Sequence, residues 1–105
     1  SNSLPMLKQI GMWRFKEGAE GQTATQHAQW MKQHLDALVG VVPEIVSLEC
    51  GIDVLRTPAS FDAVLTVTLA DVEALQRYAN HPAHLVIAEH AKLITETRVA
   101  VDYNL

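Results

Sequence analysis

The chain has 105 residues, of which 49% are hydrophobic and 19% charged, a composition that is typical of one folded domain and excludes intrinsic disorder. Its formal net charge is −4 with 8 scattered Lys and Arg residues, so we expect no nucleic-acid partner, and no apolar run reaches the roughly 18 residues of a membrane span. The single cysteine, Cys50, excludes an intrachain disulfide and is typical of a reducing compartment, which predicts a cytoplasmic location.

The first residues contribute nothing to the predicted fold. Ser1, Asn2 and Ser3 resemble the remnant of an expression tag, and we expect no secretory signal because a charged start followed by an apolar stretch is missing. No repeat, linker or low-complexity tract divides the remainder of the chain. The sequence therefore predicts a single domain over residues 6–105, with 1–5 as a tag remnant or a disordered N-terminus.

The first predicted strand, over residues 6–16, has apolar side chains on both faces. Leu7, Trp13 and Phe15 share one face, whereas Ile10 and Met12 fall on the other. Such a strand must be covered on both sides. A loop over 17–22 ends it.

An amphipathic helix of about five turns is predicted next, capped by Thr23 or Thr25. Its apolar stripe follows the i, i+3, i+4, i+7 spacing and consists of His27, Trp30, Met31, His34, Leu35, Leu38, Val39 and Val42. Gly40 and Pro43 close this helix.

Two strands that form an antiparallel hairpin are predicted over 46–54 and 61–69, because apolar and polar side chains alternate along both. Cys50 lies on the apolar face of the first, which indicates a small buried side chain and not a nucleophile. The strand carboxylates, Asp62 and Asp102, are expected to pair with Arg14 or Arg98 on neighbouring strands.

Two short helices and a last strand complete the chain. Asp71 is the predicted N-cap of a helix over 72–79, Asn80 stops this helix in a left-handed conformation, and Pro82 begins another that runs to 93. A strand over 97–103 comes last.

The order β-α-β-β-α-(α)-β predicts an α+β, ferredoxin-like fold with an antiparallel sheet. Its helices cover one face of the sheet, and Ile10, Met12 and Val64 lie on the other. A second copy that covers this face gives a homodimer.

Several stretches of the sequence carry a family resemblance. They are Leu7-Lys8-Gln9-Ile10 with Arg14-Phe15-Lys16-Glu17-Gly18, Val42-Pro43-Glu44-Ile45 with Ser47-Leu48-Glu49-Cys50-Gly51, Ser60-Phe61-Asp62, His81-Pro82-Ala83-His84 and the closing Arg98-Val99-Ala100-Val101-Asp102-Tyr103. In this order and spacing, the sequence resembles the stress-responsive dimeric α/β-barrel (Dabb) family. The resemblance implies a ferredoxin-like subunit whose sheet packs against that of a second copy.

The resemblance implies less about chemistry, since most members of the family have no established reaction. One plant member is a cofactor-free polyketide cyclase that closes a ring by intramolecular aldol condensation. Its catalytic pair is the Tyr and the second His of a Tyr-x-x-His-Pro-x-His segment, which match Tyr78 and His84. Two other histidines of that enzyme fall at Gln9 and Ala63 here, so its substrate does not carry over.

The segment from Tyr78 to His84 holds the main catalytic candidates. It places a phenol and two imidazoles at a helix break, where side chains converge on a pocket. A neutral His84 is suited to remove a proton next to a carbonyl, and Tyr78 to donate to the resulting enolate oxygen. In the structural alternative, Tyr78 packs its ring with the hydroxyl in water, His84 bonds the backbone, and His81 acts as an N-cap.

The remaining candidate site residues are expected to line a pocket that holds no metal. We expect Trp13, Gln9, Trp30 and His81 to line a pocket for a small apolar or aromatic ligand. His81 and His84 have the H-x-x-H spacing of a metal pair, but no third ligand stands nearby, so we expect no metal and no cofactor. The other helix histidines are interpreted as boundary residues.

Three functions remain open from the sequence. The first is a homodimer of the stress-responsive kind that binds a small apolar molecule. The second is a cofactor-independent enzyme, either cyclase-like or a related oxygenase, with His84 as base and Tyr78 as acid; the oxygenase version rests on fold analogy alone. The third is an interaction protein whose functional unit is the dimer itself.

Overall fold

The computed structural model describes residues 5–105, so the predicted tag remnant, apart from Pro5, lies outside the described residues. The elements in chain order are strand β1 (Leu7–Phe15), a 3-10 turn (Ala19–Gly21), helix α1 (Ala24–Asp36), strands β2 (Ser47–Ile52) and β3 (Ala63–Leu69), helices α2 (Val72–Asn80) and α3 (Pro82–Ile94), and strand β4 (Thr95–Asn104). The strands form one antiparallel sheet in the order β2-β3-β1-β4. The predicted α+β ferredoxin-like fold and the β2–β3 hairpin are both confirmed.

The helices pack on one face of the sheet, which we call the covered face. Side chains alternate across each strand, so this face presents one parity of β1 and the residues paired with it. Its core consists of Leu7, Trp13 and Phe15 from β1, Cys50 from β2, Ala63, Leu65, Val67 and Leu69 from β3, and Met31, Leu35, Tyr78, Ile87 and Ile94 from the helices. Within the described chain, no helix has the length and apolarity needed to cross a membrane.

The opposite face, which we call the open face, is apolar along its middle. Met12 is 40% exposed and lies in register between Val64 and Val99, and Ile10 lies beside Val101 in the next row. Val101 is 62% exposed. The predicted second apolar face is therefore present, and no element of the described chain covers it.

Helix α1 is shorter than predicted, because it ends at Asp36 instead of continuing to Val42. After Asp36 the backbone tightens into turns in which the amides of Leu38 and Val41 bond carbonyls three residues back, and Gly40 takes a left-handed φ of 84°. Leu38 and Val42 are nevertheless buried. The apolar spacing correctly indicated the core positions, but it did not distinguish helix from consecutive turns.

Side chains cap the starts of α1 and α2. Thr23 forms a capping box with Gln26 at the start of α1, and Asp71 accepts from the Ala74 amide at the start of α2, as predicted. The left-handed stop predicted at Asn80 was wrong. Asn80 stays helical, and the break is made by His81, whose extended backbone (φ −63°, ψ 136°) separates α2 from α3.

The predicted pairing of the strand carboxylates was also wrong. Asp62 contacts Arg56 at 2.8 Å and accepts a 2.7 Å hydrogen bond from the Phe15 amide, while Asp102 accepts from the Gln9 amide group at 2.8 Å. The loop before β3 brings Arg56 closer to Asp62 than either strand arginine. The strand arginines lie on aromatic rings instead, Arg14 over Phe61 and Arg98 over Trp13.

Candidate functional site

A cavity of about 520 Å³ lies between the covered face and the helices, and it is partly open to solvent. Its floor is formed by the sheet residues Gln9, Trp13, Leu65 and Arg98, and its walls by apolar side chains of α1 and α3 together with Tyr78, His84 and Thr95. The lining is mainly apolar with a few convergent polar groups, which is the usual character of a small-molecule site.

The helix break at His81 brings Tyr78 and His84 together. Tyr78 stands in the last turn of α2 and His84 in the first turn of α3, so the change of direction between the helices turns both rings into the cavity. Their centroids are 4.6 Å apart with an angle of 53° between the planes. Pro82 favours the break, since its fixed φ suits the first position of α3 and its ring prevents α2 from continuing.

The Tyr78 hydroxyl is buried without a hydrogen-bond partner among residues 5–105. The residue is only 1% exposed, and burial raises the pKa of Tyr78 to about 12, with the nearby charge of Arg98 acting in the opposite direction. The phenol is therefore neutral at physiological pH and has a proton to donate. The hydroxyl in water that the structural alternative required is not found.

His84 is held as a neutral base. Its Nδ1 lies 3.0 Å from the Ala79 carbonyl oxygen, which only accepts, so Nδ1 carries the proton and Nε2 keeps its lone pair. Burial lowers the pKa of His84, and the backbone hydrogen bond to Ala79 only partly offsets this effect. No atom of the described chain hydrogen-bonds Nε2. His84 thus fixes the helix break, as its structural interpretation held, and still has a nitrogen available to a ligand.

The cavity contains three polar residues that the sequence interpretation did not place there, namely Lys92, Thr95 and Arg98. Thr95 begins β4, and its hydroxyl is another buried oxygen without a partner in the described chain. Arg98 lies opposite Trp13 in the β1–β4 register and lines the same cavity. The alternation along β4 gives the face of Arg98 but not the direction of its long side chain, and nothing in the sequence marks Thr95.

Two of the predicted pocket residues lie elsewhere. Trp30 is not in the cavity lining, because it packs between His34 at 4.1 Å and His90 at 4.2 Å, measured between ring centroids, where α1 faces α3. His81 is also outside, because its Nδ1 accepts a 3.0 Å hydrogen bond from the Ala83 amide as the N-cap of α3. Trp13 and Gln9 do line the cavity.

The other candidate nucleophiles and metal ligands have structural roles. Cys50 is buried, and burial raises the pKa of its thiol to about 11, so the thiolate is disfavoured. His27 is fully buried, and its Nε2 lies 2.8 Å from the Ala19 carbonyl oxygen, tying the 3-10 turn to α1. Over residues 5–105, no three His, Cys, Asp or Glu side chains stand close enough to hold a metal ion.

The chain is similar to one known family over nearly its whole length. The sequence pattern of the "Stress responsive A/B Barrel Domain" matches residues 7–105. A search of curated proteins finds no match.

Solved structures support the same fold. A dimeric protein of unknown function with a ferredoxin-like fold from Bacteroides fragilis is 20% identical, with a TM-score of 0.80 over 95% of this chain and 96% of that one. A dimeric ferredoxin-like protein of unknown function from Thermobifida fusca is 18% identical, with a TM-score of 0.81 over 98% and 93%. A hydroxynitrile lyase from Passiflora edulis is 19% identical, with a TM-score of 0.76 over 95% and 93%. At these identities the likeness establishes the fold alone.

Proposed function

The chain belongs to the stress responsive A/B barrel domain family, and from this premise we propose that it is a homodimer in which each subunit binds a small, mainly apolar or aromatic molecule in the cavity under its helices. The observation that carries the binding proposal is the pair of buried hydroxyls, Tyr78 and Thr95, which line one cavity and have no partner in the described chain. An unpaired buried hydroxyl is costly, and a ligand with a polar group removes that cost.

The size and lining of the cavity support a ligand of this class. Its volume of about 520 Å³ falls within the usual range of small-molecule sites, and Trp13 gives it a flat aromatic wall. Tyr78 and His84 stand side by side in this lining, with their ring centroids 4.6 Å apart. We therefore propose a ligand with an apolar or aromatic body and a carbonyl-type acceptor that faces Tyr78.

Replacing the Tyr78 hydroxyl tests this arrangement. Tyr78→Phe is expected to weaken acetophenone binding about fivefold to tenfold, because one hydrogen bond is lost, and to leave ethylbenzene binding unchanged. The free variant should be as stable as the parent or more stable, since an unpaired buried hydroxyl has been removed. Calorimetric titration and thermal unfolding measure the two effects.

Tyr103→Phe is the matched control, because this tyrosine is partly exposed on the open face, away from the cavity. It should leave the binding of both probes unchanged. Equal losses for acetophenone and ethylbenzene, or a marked fall in the stability of free Tyr78→Phe, would show that the hydroxyl has only a structural role.

Dimerisation is supported by the open face. Its apolar centre, with Met12 between Val64 and Val99, has no cover within residues 5–105. If the open faces of two copies packed together, each would bury the apolar centre of the other. Two of the similar structures are of proteins described as dimeric.

A second candidate function is proton transfer without a cofactor, and the tautomer of His84 favours it. Nε2 has a free lone pair, and the Tyr78 ring lies beside the imidazole. The Tyr78 hydroxyl has no hydrogen-bond partner in the described chain, so its proton is available to a ligand. In the proposed step, Nε2 takes a proton from the carbon next to a carbonyl, and the C–H electron pair moves into the enolate. Tyr78 donates a hydrogen bond to the enolate oxygen.

Hydrogen exchange tests this second candidate. The protein is expected to catalyse deuterium incorporation at the methyl group of acetophenone in D₂O, followed by proton NMR, and His84→Gln should abolish it. Because burial lowers the pKa of His84, the neutral base already forms below the ordinary value of 6.5. Exchange should therefore rise with pH and reach half its plateau below pH 6.5. Exchange that persists in His84→Gln would exclude this base.

A further inference from the structure

We infer that the ligand of this cavity is an anion, an apolar or aromatic carboxylate whose charged group is bound by Arg98. The inference rests on the proposed binding function and specifies its ligand class. The position of the Arg98 guanidinium and the charges that surround the cavity support this ligand class.

The side chain of Arg98 extends from β4 across the floor of the cavity. A Cβ atom added at Gly11 on the neighbouring strand β1 would stand 3.5 Å from Nη2 of Arg98 and 3.7 Å from the end of the Trp13 ring. Gly11 lies between Gln9 and Trp13, which both line the cavity. The guanidinium thus lies over Gly11, at van der Waals distance from the sheet and under the ligand space.

The charged side chains that line this cavity are all positive. Of the residues that line it, Arg98 and Lys92 are the charged ones, and none is acidic. Lys92 stands at the rim with its side chain 73% exposed, and it contacts Glu89 at 3.5 Å. Arg98, by contrast, makes no ion pair with any residue of 5–105. Its charge is therefore available to a ligand.

The positive charge of Arg98 acts on both Tyr78 and His84. Burial raises the pKa of Tyr78 and lowers that of His84, and the positive charge of Arg98 contributes a lowering in both cases. A carboxylate bound at the guanidinium would offset this effect of Arg98 on both the phenol and the imidazole.

Arginine is suited to this task because its planar fork forms paired hydrogen bonds with a carboxylate and remains charged at any physiological pH. Trp13 lies under the guanidinium, 5.7 Å from ring centroid to Cζ, and provides a surface for an aromatic body next to the charged group. One end of the site thus matches a carboxylate and the adjoining surface matches an apolar ring.

The test compares 2-naphthoate with 2-naphthamide, which have the same ring and differ in charge, by calorimetric titration. The intact protein should bind naphthoate about tenfold more tightly, as expected for a charge-assisted hydrogen-bonded pair near solvent. Arg98→Gln should remove this preference through weaker naphthoate binding, with naphthamide binding unchanged. Arg98→Lys should restore part of it, and the naphthoate preference should fall as salt is raised.

Lys92→Gln is the control, because it removes the other positive charge of the lining from the rim. It should keep most of the naphthoate preference. Equal binding of the two probes, or a preference that survives Arg98→Gln, would overturn the anion inference and leave the binding proposal intact. If neither probe binds, the proposed function fails and the inference with it.

Discussion

Met12→Glu is expected to convert the proposed homodimer into folded monomers. Met12 lies at the centre of the open face, between Val64 and Val99, and the substitution places one carboxylate from each subunit in the shared interface. Burying an unpaired charge among apolar side chains costs several kcal/mol, so the dissociation constant should rise about a hundredfold or more. Because Met12 is 40% exposed in the single subunit, the monomer should keep its fold.

Sedimentation velocity at micromolar concentration measures this change, with circular dichroism as the check on folding. Val72→Glu is the matched control, since Val72 is a similarly exposed apolar residue at 52%, at the start of α2 and away from the open face. A carboxylate is favourable at that helix end. Met12→Glu that remains dimeric, or a parent protein that is already monomeric, would contradict the proposed use of the open face.

Asp62→Asn should destabilise the subunit by about 2 kcal/mol, because it removes the charge of a buried carboxylate and leaves an oxygen for only one of its two contacts. Asp62 contacts Arg56 at 2.8 Å and accepts from the Phe15 amide at 2.7 Å. A neutral amide loses the ion pair, and if its one oxygen accepts from the Phe15 amide, its NH₂ group faces the Arg56 guanidinium. The melting temperature should fall by roughly 10 °C or more for a domain of this size.

Asp53→Asn is the control, because Asp53 also contacts the Arg56 guanidinium, but at 3.5 Å. It should cost less than about 1 kcal/mol, as is usual for a more exposed pair. Both variants are compared at one protein concentration, because the proposed dimerisation would make melting temperatures depend on concentration. If the two substitutions lower the melting temperature equally, the larger contribution assigned to Asp62 is contradicted.

The sequence predicted the fold and the helix break well, because both depend on local patterns. Alternation along the strands, the Asp71 cap and Pro82 fix where the elements begin and which face each residue takes. Those patterns were enough to place Tyr78 and His84 on either side of one break. They failed after Asp36, where apolar spacing continued through turns that are not helical.

The rest of the site depends on contacts between distant parts of the chain. The position of Arg98 over Gly11 follows from the β1–β4 register and from a long flexible side chain, neither of which a local pattern determines. Trp30 was misplaced for a related reason. Its helical face was right, but its ring packs with two histidines, one of them on α3.

The position of β4 has a consequence for the time at which the binding site forms. β1 is an inner strand, and Leu7 at its start pairs with Asn104 near the far end of the chain. Contacts so distant in sequence close slowly, because the whole intervening chain must first be ordered. Thr95 and Arg98 are the last lining residues in the sequence, so a nascent chain whose β4 is still in the ribosome lacks the guanidinium of the proposed anion site.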